Sequence, residues 1–159
     1  MKSITSYAIP LAASVDRFIG NYAVAVVIGA VILLFLIGDL FSLVPWVILG
    51  QIAGLALVVS ARFAFRKQRV RVVAEPGRGP LVMRGPYEFI RHPMYAGVLV
   101  FLLFTVLGHL SMFNATLWLV VCVTVIWRIS TEEQLLQRQH PETYPAYRRR
   151  TDKLIPYIY

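Results

Sequence analysis

Residues 84–104 read RGPYEFIRHPMYAGVLVFLLF. Two Arg, a Glu, a His and two Tyr are crowded against an apolar run suited to lipid. His92-Pro93 marks the border. Proline costs nothing at the first position of a helix, where its missing N–H has no partner anyway and its fixed φ suits the turn. A helix starting at Pro93 sets the residues before it at the positive end of the helix dipole, where Arg91 adds a full charge, so an anion site is expected there. Tyr95 and Gly97 then lie one turn inside, and Gly97 leaves room for the close approach of a ligand or of a neighbouring helix.

The rest of the chain decides what solvent that helix meets. Of the 159 residues 58% are hydrophobic and only 15% charged, with a mean hydropathy of +0.66. That is too apolar for an ordinary soluble domain of this length. Four stretches approach the roughly 20 residues needed to cross a bilayer: 18–38, 40–61, 93–110 and 115–127. The last two are short and read as a tight helical hairpin across the polar break at Ser111–Asn114. The expected fold is therefore all-α: one integral membrane domain over 1–159, with about four transmembrane helices and a C-terminal helical segment outside the bilayer. Every one of the 16 Lys and Arg falls in 1–17, 62–92 or 128–159. By the positive-inside rule those segments and both termini are cytoplasmic, in a plasma or inner membrane.

The same distribution excludes other readings of a +8 charge. Nucleic acid would require a basic face on a soluble fold with reading elements, whereas here topology and anionic lipid account for the bias. No metal is expected, since His92, His109 and His140 are nowhere at ligand spacing. The single Cys122 lies within an apolar run and reads as a small filler. The N-terminal stretch is broken by Pro10 and by Asp16-Arg17, which fits a lead-in at the interface and not a cleaved signal. Gly50-x-x-x-Gly54 is a small-residue spacing that serves packing within a chain at least as often as dimerisation, and the sequence leaves the oligomeric state open.

Chemistry is expected on the charged side of the membrane. The stretch RFAFRKQRVRVV, 62–73, alternates basic and apolar residues and suits the headgroup layer. Three Gly and three Pro between Glu75 and Pro86 force turns ahead of the His92-Pro93 helix start. Past the fourth apolar stretch, a continued helix would set Arg128 and Glu132 on one face with Glu133 beside them. Tyr144, Tyr147 and Arg148–Arg150 follow. Together these form a polar pocket lined by aromatics, the usual makeup of a small-molecule site. The tail ends LIPYIY, apolar enough to fold back on the membrane face.

Gly85-Pro86-Tyr87 with Arg91-His92-Pro93-x-Tyr95-x-Gly97, then Arg128-x-x-x-Glu132-Glu133-x-x-Leu136, Tyr144-x-x-Tyr147 and Ile155-Pro156, resembles the isoprenylcysteine carboxyl methyltransferase family and its relatives among the phospholipid N-methyltransferases. The likeness covers about residues 81–156. One departure stands out: Gln139-His140-Pro141 occupies the place of the family's usual Phe-Gly. The resemblance implies an integral membrane methyltransferase that uses S-adenosylmethionine. Carried onto this chain, Tyr87, Arg91, His92, Tyr95, Gly97, Glu133, Tyr144, Tyr147 and Arg148 would bind the cofactor, and Arg128 and Glu132 would face the transfer site. The acceptor would be lipophilic, an isoprenylcysteine-type carboxylate, a thiol or a lipid amine, arriving from the bilayer among membrane lipids. Two other classes compete. Sterol-type reductases carry a similar Arg-His-Pro-x-Tyr-x-Gly signature with NADPH, although Met94 stands where they have Asn, and a non-enzymatic membrane protein would use the clusters as anchors.

Overall fold

A computed structural model describes residues 22–64 and 81–156. The expectations for the N-terminal lead-in, for most of the basic stretch 62–73, for Glu75–Gly79 and for the last three residues lie outside those described. Among the described residues the chain is helical and has no strand, only one isolated parallel bridge between Ile90 and Asp152.

Helix α1 covers Tyr22–Leu36. Ala23, Ala30 and Leu34 face inward from one stripe, while Phe35 and Leu36 point outward. Gly38, at φ +84°, ends the helix. The Asp39 N–H donates to Leu34 O and the Gly38 N–H to Phe35 O, which closes the last turn through a left-handed residue where glycine has no side chain to strain. Helix α2 runs Pro45–Ala64. It starts five residues later than the apolar stretch does, because Pro45 occupies the first turn and 40–44 form the connection.

Helix α3 covers Pro93–Gly108 with His92 at its N-cap, as the His-Pro border predicts. Helix α4 covers Met112–Gln139. Its cap is Ser111, whose Oγ accepts from the Asn114 N–H at 3.0 Å. The expected fourth span, 115–127, is thus the middle of a longer rod. At 1.5 Å per residue α4 is about 42 Å long against a hydrocarbon core of about 30 Å, so it exceeds a single crossing by roughly a third of its length. Arg128, Glu132 and Glu133 lie on its C-terminal half. The helix stops at Gln139, in front of Pro141, and the seven-residue α5, Tyr144–Arg150, follows.

By length and composition α2 and α4 can each cross a membrane, while α1 and α3 are shorter apolar helices. Lipid is the solvent these surfaces suit: Leu36, Leu43, Leu49 and Leu110 are all largely exposed. Helices α2 and α3 form the tightest pair. A Cβ on Gly54 would come within 2.7 Å of Gly97 O, and one on Gly50 would run into the Phe104 ring. The Gly50-x-x-x-Gly54 spacing therefore serves packing within the chain. Helix α4 closes the other side, with Leu102, Val121, Val125 and Ile129 in a continuous core and Trp118 Nε1 donating to Leu99 O.

Candidate functional site

The charged residues converge where α3 begins and α4 leaves its apolar part. The outer layer is a hydrogen-bonded row. Arg128, buried on α4, donates through Nε to the Tyr95 hydroxyl on α3. That hydroxyl donates to Glu132 Oε2 at 2.9 Å. A phenol has a single proton to give, so the row has a direction, from Arg128 through Tyr95 to Glu132. The i,i+4 pair expected on α4 is thus completed by a residue from α3.

One residue further along α4, Glu133 is the centre of a second layer. Arg91 Nε donates to its Oε1 at 2.8 Å, His92 Nε2 lies 3.5 Å from the same oxygen, and Lys153 Nζ is 4.0 Å from Oε2. Burial alone would raise the Glu133 carboxyl. The interactions with His92 and Arg91 outweigh it and hold the group down at about 2. Glu133 is therefore an anion at any working pH.

The tail supplies the rest. Arg91 N–H donates to Asp152 O, His92 N–H to Lys153 O, and Asp152 N–H to Phe89 O, which lays 151–153 alongside 89–92. Arg91 Nη1 donates to the carbonyls of Arg148 and Thr151. One guanidinium thus ties α3's start to α4, α5 and the tail. Two buried polar atoms in this layer have no hydrogen bond of ordinary geometry among the described residues, although both face Glu133: His92 Nε2, on a side chain 3% exposed and 3.5 Å from Glu133 Oε1, and the Tyr144 hydroxyl, on a residue 1% exposed. Buried polar atoms are rarely left so.

Aromatic side chains wall the cluster. The Tyr147 hydroxyl donates to Tyr87 O at 2.8 Å, which pins α5 to the short 3-10 turn Gly85–Glu88. The Tyr144 and Tyr147 rings lie 6.2 Å apart, and the His92 and Tyr95 rings 5.8 Å apart. Burial raises all three loop and tail phenols. Tyr87 is raised further by the Glu132 charge and Tyr144 by the Glu133 charge, while Tyr147, with Arg91 opposing, is pushed up to about 12. All remain neutral donors at physiological pH.

Nearly all the residues singled out from the sequence meet in this region, and two of them depart from expectation. Arg148 contributes its carbonyl, while its side chain is exposed. Gly97 faces α2 and not the cluster: a Cβ there would meet Gly54 O at 2.6 Å and Val58 Cγ2 at 2.7 Å, so of the two uses the sequence offers, the neighbouring helix takes the space. Sequence reading passed over Thr151 and Lys153. No local signal marks them, since Thr-Asp-Lys reads as ordinary linker until the Ile90–Asp152 bridge brings it beside Glu133.

The profile of the phospholipid methyltransferase family matches residues 48–143, more than half of the chain, from early in α2 through Glu133 to the threshold of α5. Comparison with curated proteins and with solved structures returns no significant match. The matched segment contains α3, α4, the whole Arg128–Tyr95–Glu132 row and the Glu133, Arg91 and His92 part of the second layer, and the chain belongs to the phospholipid methyltransferase family.

Proposed function

We propose that the protein is an S-adenosylmethionine-dependent methyltransferase that acts on a lipophilic acceptor at the cytoplasmic face of the membrane. Four crossings, with both termini inside, fit the placement of every basic residue. The observation that carries the proposal is the Glu133 layer. A fixed carboxylate is bordered by cations there, and two buried polar atoms, His92 Nε2 and the Tyr144 hydroxyl, are without a hydrogen bond of ordinary geometry among the described residues.

These residues fit the cofactor. Glu133 can accept from its ammonium or from ribose hydroxyls, His92 and Tyr144 can satisfy further polar atoms, and the tyrosine faces suit a sulfonium cation. When bound, the cofactor supplies a methyl group on positive sulfur, an electrophile open to in-line displacement. The chain's own work is mainly positioning. Arg128, fixed by Tyr95, orients an anionic acceptor such as a carboxylate or thiolate. Glu132, which takes its hydrogen bond from Tyr95, stands ready to accept a proton from an acceptor that arrives protonated, as a thiol or an ammonium does. Below Arg128 the outward side of α4 carries Val120, Val123 and Trp127, all exposed, along which an acyl or isoprenyl chain can lie. The acceptor then comes from lipid and the cofactor from water, and the cluster lies at the border for that reason.

Calorimetric titration of the detergent-purified protein with S-adenosylmethionine, with NADPH in parallel, tests the proposal. Saturable binding of the first alone is expected. Binding of NADPH instead would move the chain to the reductases, and binding of neither by a folded sample would leave the clusters as anchors. Sidedness is tested in a Cys122→Ala background, where a cysteine at the exposed Met112 is expected to label from outside intact cells and one at Arg149 only after permeabilisation. The reverse pattern would invert the topology.

A further inference from the structure

Helix α5 has two unlike sides. Tyr144 and Tyr147 are buried and wall the polar cluster, whereas Arg148, Arg149 and Arg150 are all exposed. A helix of seven residues does not hold itself together in water, so α5 persists through what its sides touch. The tyrosine side has its partners: the Tyr147 hydroxyl donates to Tyr87 O at 2.8 Å, and the two rings lie 6.2 Å apart. The arginine side is different, since the ion pairs at Glu133 and at Asp39 use none of its three guanidinium groups. Cations suit the C-terminal end of a helix, which favours the run's position without giving it a counter-charge.

The place of the run in the molecule indicates what supplies one. The Arg148 carbonyl accepts from Arg91 Nη1 at 3.1 Å, and Arg91 stands two residues before Pro93, where the apolar helix α3 begins. The run therefore begins within one side chain's reach of the edge of the apolar layer. Large apolar side chains are exposed at the same edge. Phe89, whose carbonyl accepts from the Asp152 N–H at 3.0 Å, is 61% exposed, and Ile155 is 51% exposed. Residues 148–152 hold three arginines against the one carboxylate of Asp152. Exposed arginines and exposed apolar residues at such a border are the makeup of a contact with the headgroup layer, where guanidinium groups meet lipid phosphate and apolar side chains enter the acyl boundary. An anionic surface adds about fivefold in partition for each arginine near it.

We propose that the Arg148–Arg150 edge docks on anionic phospholipid headgroups of the bilayer around the protein, and that this contact holds α5 over the polar cluster. The docking rests on the membrane reading, and its consequence for the cofactor on the methyltransferase reading above. Anionic lipid then acts on the site without entering it. It is held by one side of α5 and keeps Tyr144 and Tyr147 seated on the other.

The test uses the full chain in nanodiscs of phosphatidylcholine alone and of an equal mixture of phosphatidylcholine and phosphatidylglycerol. Hydrogen exchange of the α5 amides is expected to slow by about tenfold in the anionic discs, and the difference to vanish at high salt. S-adenosylmethionine affinity, by calorimetry, is expected to be about three- to tenfold higher there. The double variant Arg149→Gln, Arg150→Gln leaves the Arg148 carbonyl and both tyrosines in place, and in either disc it should exchange and bind as wild type does in the neutral one. Equal α5 exchange of wild type in the two discs, or a slowing that survives in the double variant, would overturn the docking. Slowed exchange with equal affinity would overturn the hold on the site. If the double variant does not fold, the wild-type pair decides, since a slowing that persists at high salt also counts against the arginines. Wild type that binds no S-adenosylmethionine in either disc would reject the methyltransferase reading, while the exchange comparison still decides the docking.

Discussion

The molecule has a polar cluster at each end of its helices, and they are built to different rules. At the end away from the charged loops, Asn114 Nδ2 donates to Asp39 Oδ2 and to His109 O, both at 2.8 Å, and His109 Nε2 reaches Phe41 O at 2.9 Å. A little deeper, Gln51 Nε2 donates to Leu40 O and to Thr105 Oγ1. Side chains there are committed to the two connections, and one carbonyl oxygen, Asn114 Oδ1, is left over. At the other end a carboxylate is surrounded by cations, and a ring nitrogen and a phenol have no hydrogen bond of ordinary geometry among the described residues. The first arrangement closes a fold, since its donors end on its own loops. The second is incomplete without something else, because buried hydroxyls left alone cost free energy that evolution removes unless a ligand offsets it.

Glu133 offers the hardest test of that contrast. Glu133→Gln leaves the Arg91 guanidinium buried without its counter-charge, and a loss of about 3 kcal/mol is expected, read as a lower midpoint in SDS or thermal unfolding. Cofactor affinity should fall as well, by tenfold or more, if Glu133 meets a ligand ammonium. A pH series isolates the charge. The folded carboxyl is held at about 2, below its ordinary 4.5, so its contribution is whole above about pH 4.5 and disappears as pH falls toward 2. Wild type should lose stability across that window and Glu133→Gln should not; parallel curves would mean the ion pair contributes nothing.

Gly97 comes next and sharpens the line between packing and site. A methyl group there would sit 2.6 Å from a backbone oxygen of α2, which cannot move aside as a side chain would. Gly97→Ala is therefore expected to cost about 2 kcal/mol by forcing α2 and α3 apart. Folded Gly97→Ala protein at low temperature should bind S-adenosylmethionine within about threefold of wild type. A far larger loss at unchanged stability would return Gly97 to the ligand.

How much of this was legible depends on whether the signal was local. The start of α3 was readable from His92-Pro93 alone, because proline restricts its own backbone whatever surrounds it. The extent of α4 was readable only in part. Hydropathy stops at Trp127, yet Thr131–Gln139 contains good helix formers and no Gly or Pro, so the helix continues past the apolar stretch until Pro141 nears. Glu132 and Glu133 could be paired with the α3 motif because both lie on long elements whose ends must meet. Which glutamate takes which cation could not, since one residue of helix rotation, about 100°, separates Tyr95's partner from Arg91's. The tail was the least legible. Lys153 and Thr151 gain their positions from a bridge spanning some sixty residues, and no pattern within the tail encodes it.

The far cluster should answer in the opposite sense from Glu133. Asn114→Ala deletes two buried hydrogen bonds and frees the Asp39 carboxylate from one of its donors. About 1.5 kcal/mol of stability should be lost while cofactor affinity stays within twofold, because the 16 residues of α3, about 24 Å of helix, separate the two clusters. A marked change in affinity would show that the ends are coupled through α3 and α4, and the contrast between them would fail.

Tyr147→Phe is the smallest change and tests the border of the site from within. The ring stays, and only the bond from its hydroxyl to Tyr87 O is lost, so the buried Tyr87 carbonyl must do without it. That is worth about 1 kcal/mol. Since the hydroxyl is already committed to the protein, its removal should alter S-adenosylmethionine binding by less than about threefold, whereas Tyr144→Phe, which deletes a hydroxyl with no ordinary hydrogen bond among the described residues, should weaken binding more than it weakens the fold. The two phenylalanine variants differ by one turn of α5 and by nothing in composition. If Tyr147→Phe proves the more damaging to binding, the hydroxyl facing the ligand is the one now bonded to Tyr87, and the short 3-10 turn must open before a ligand can be held.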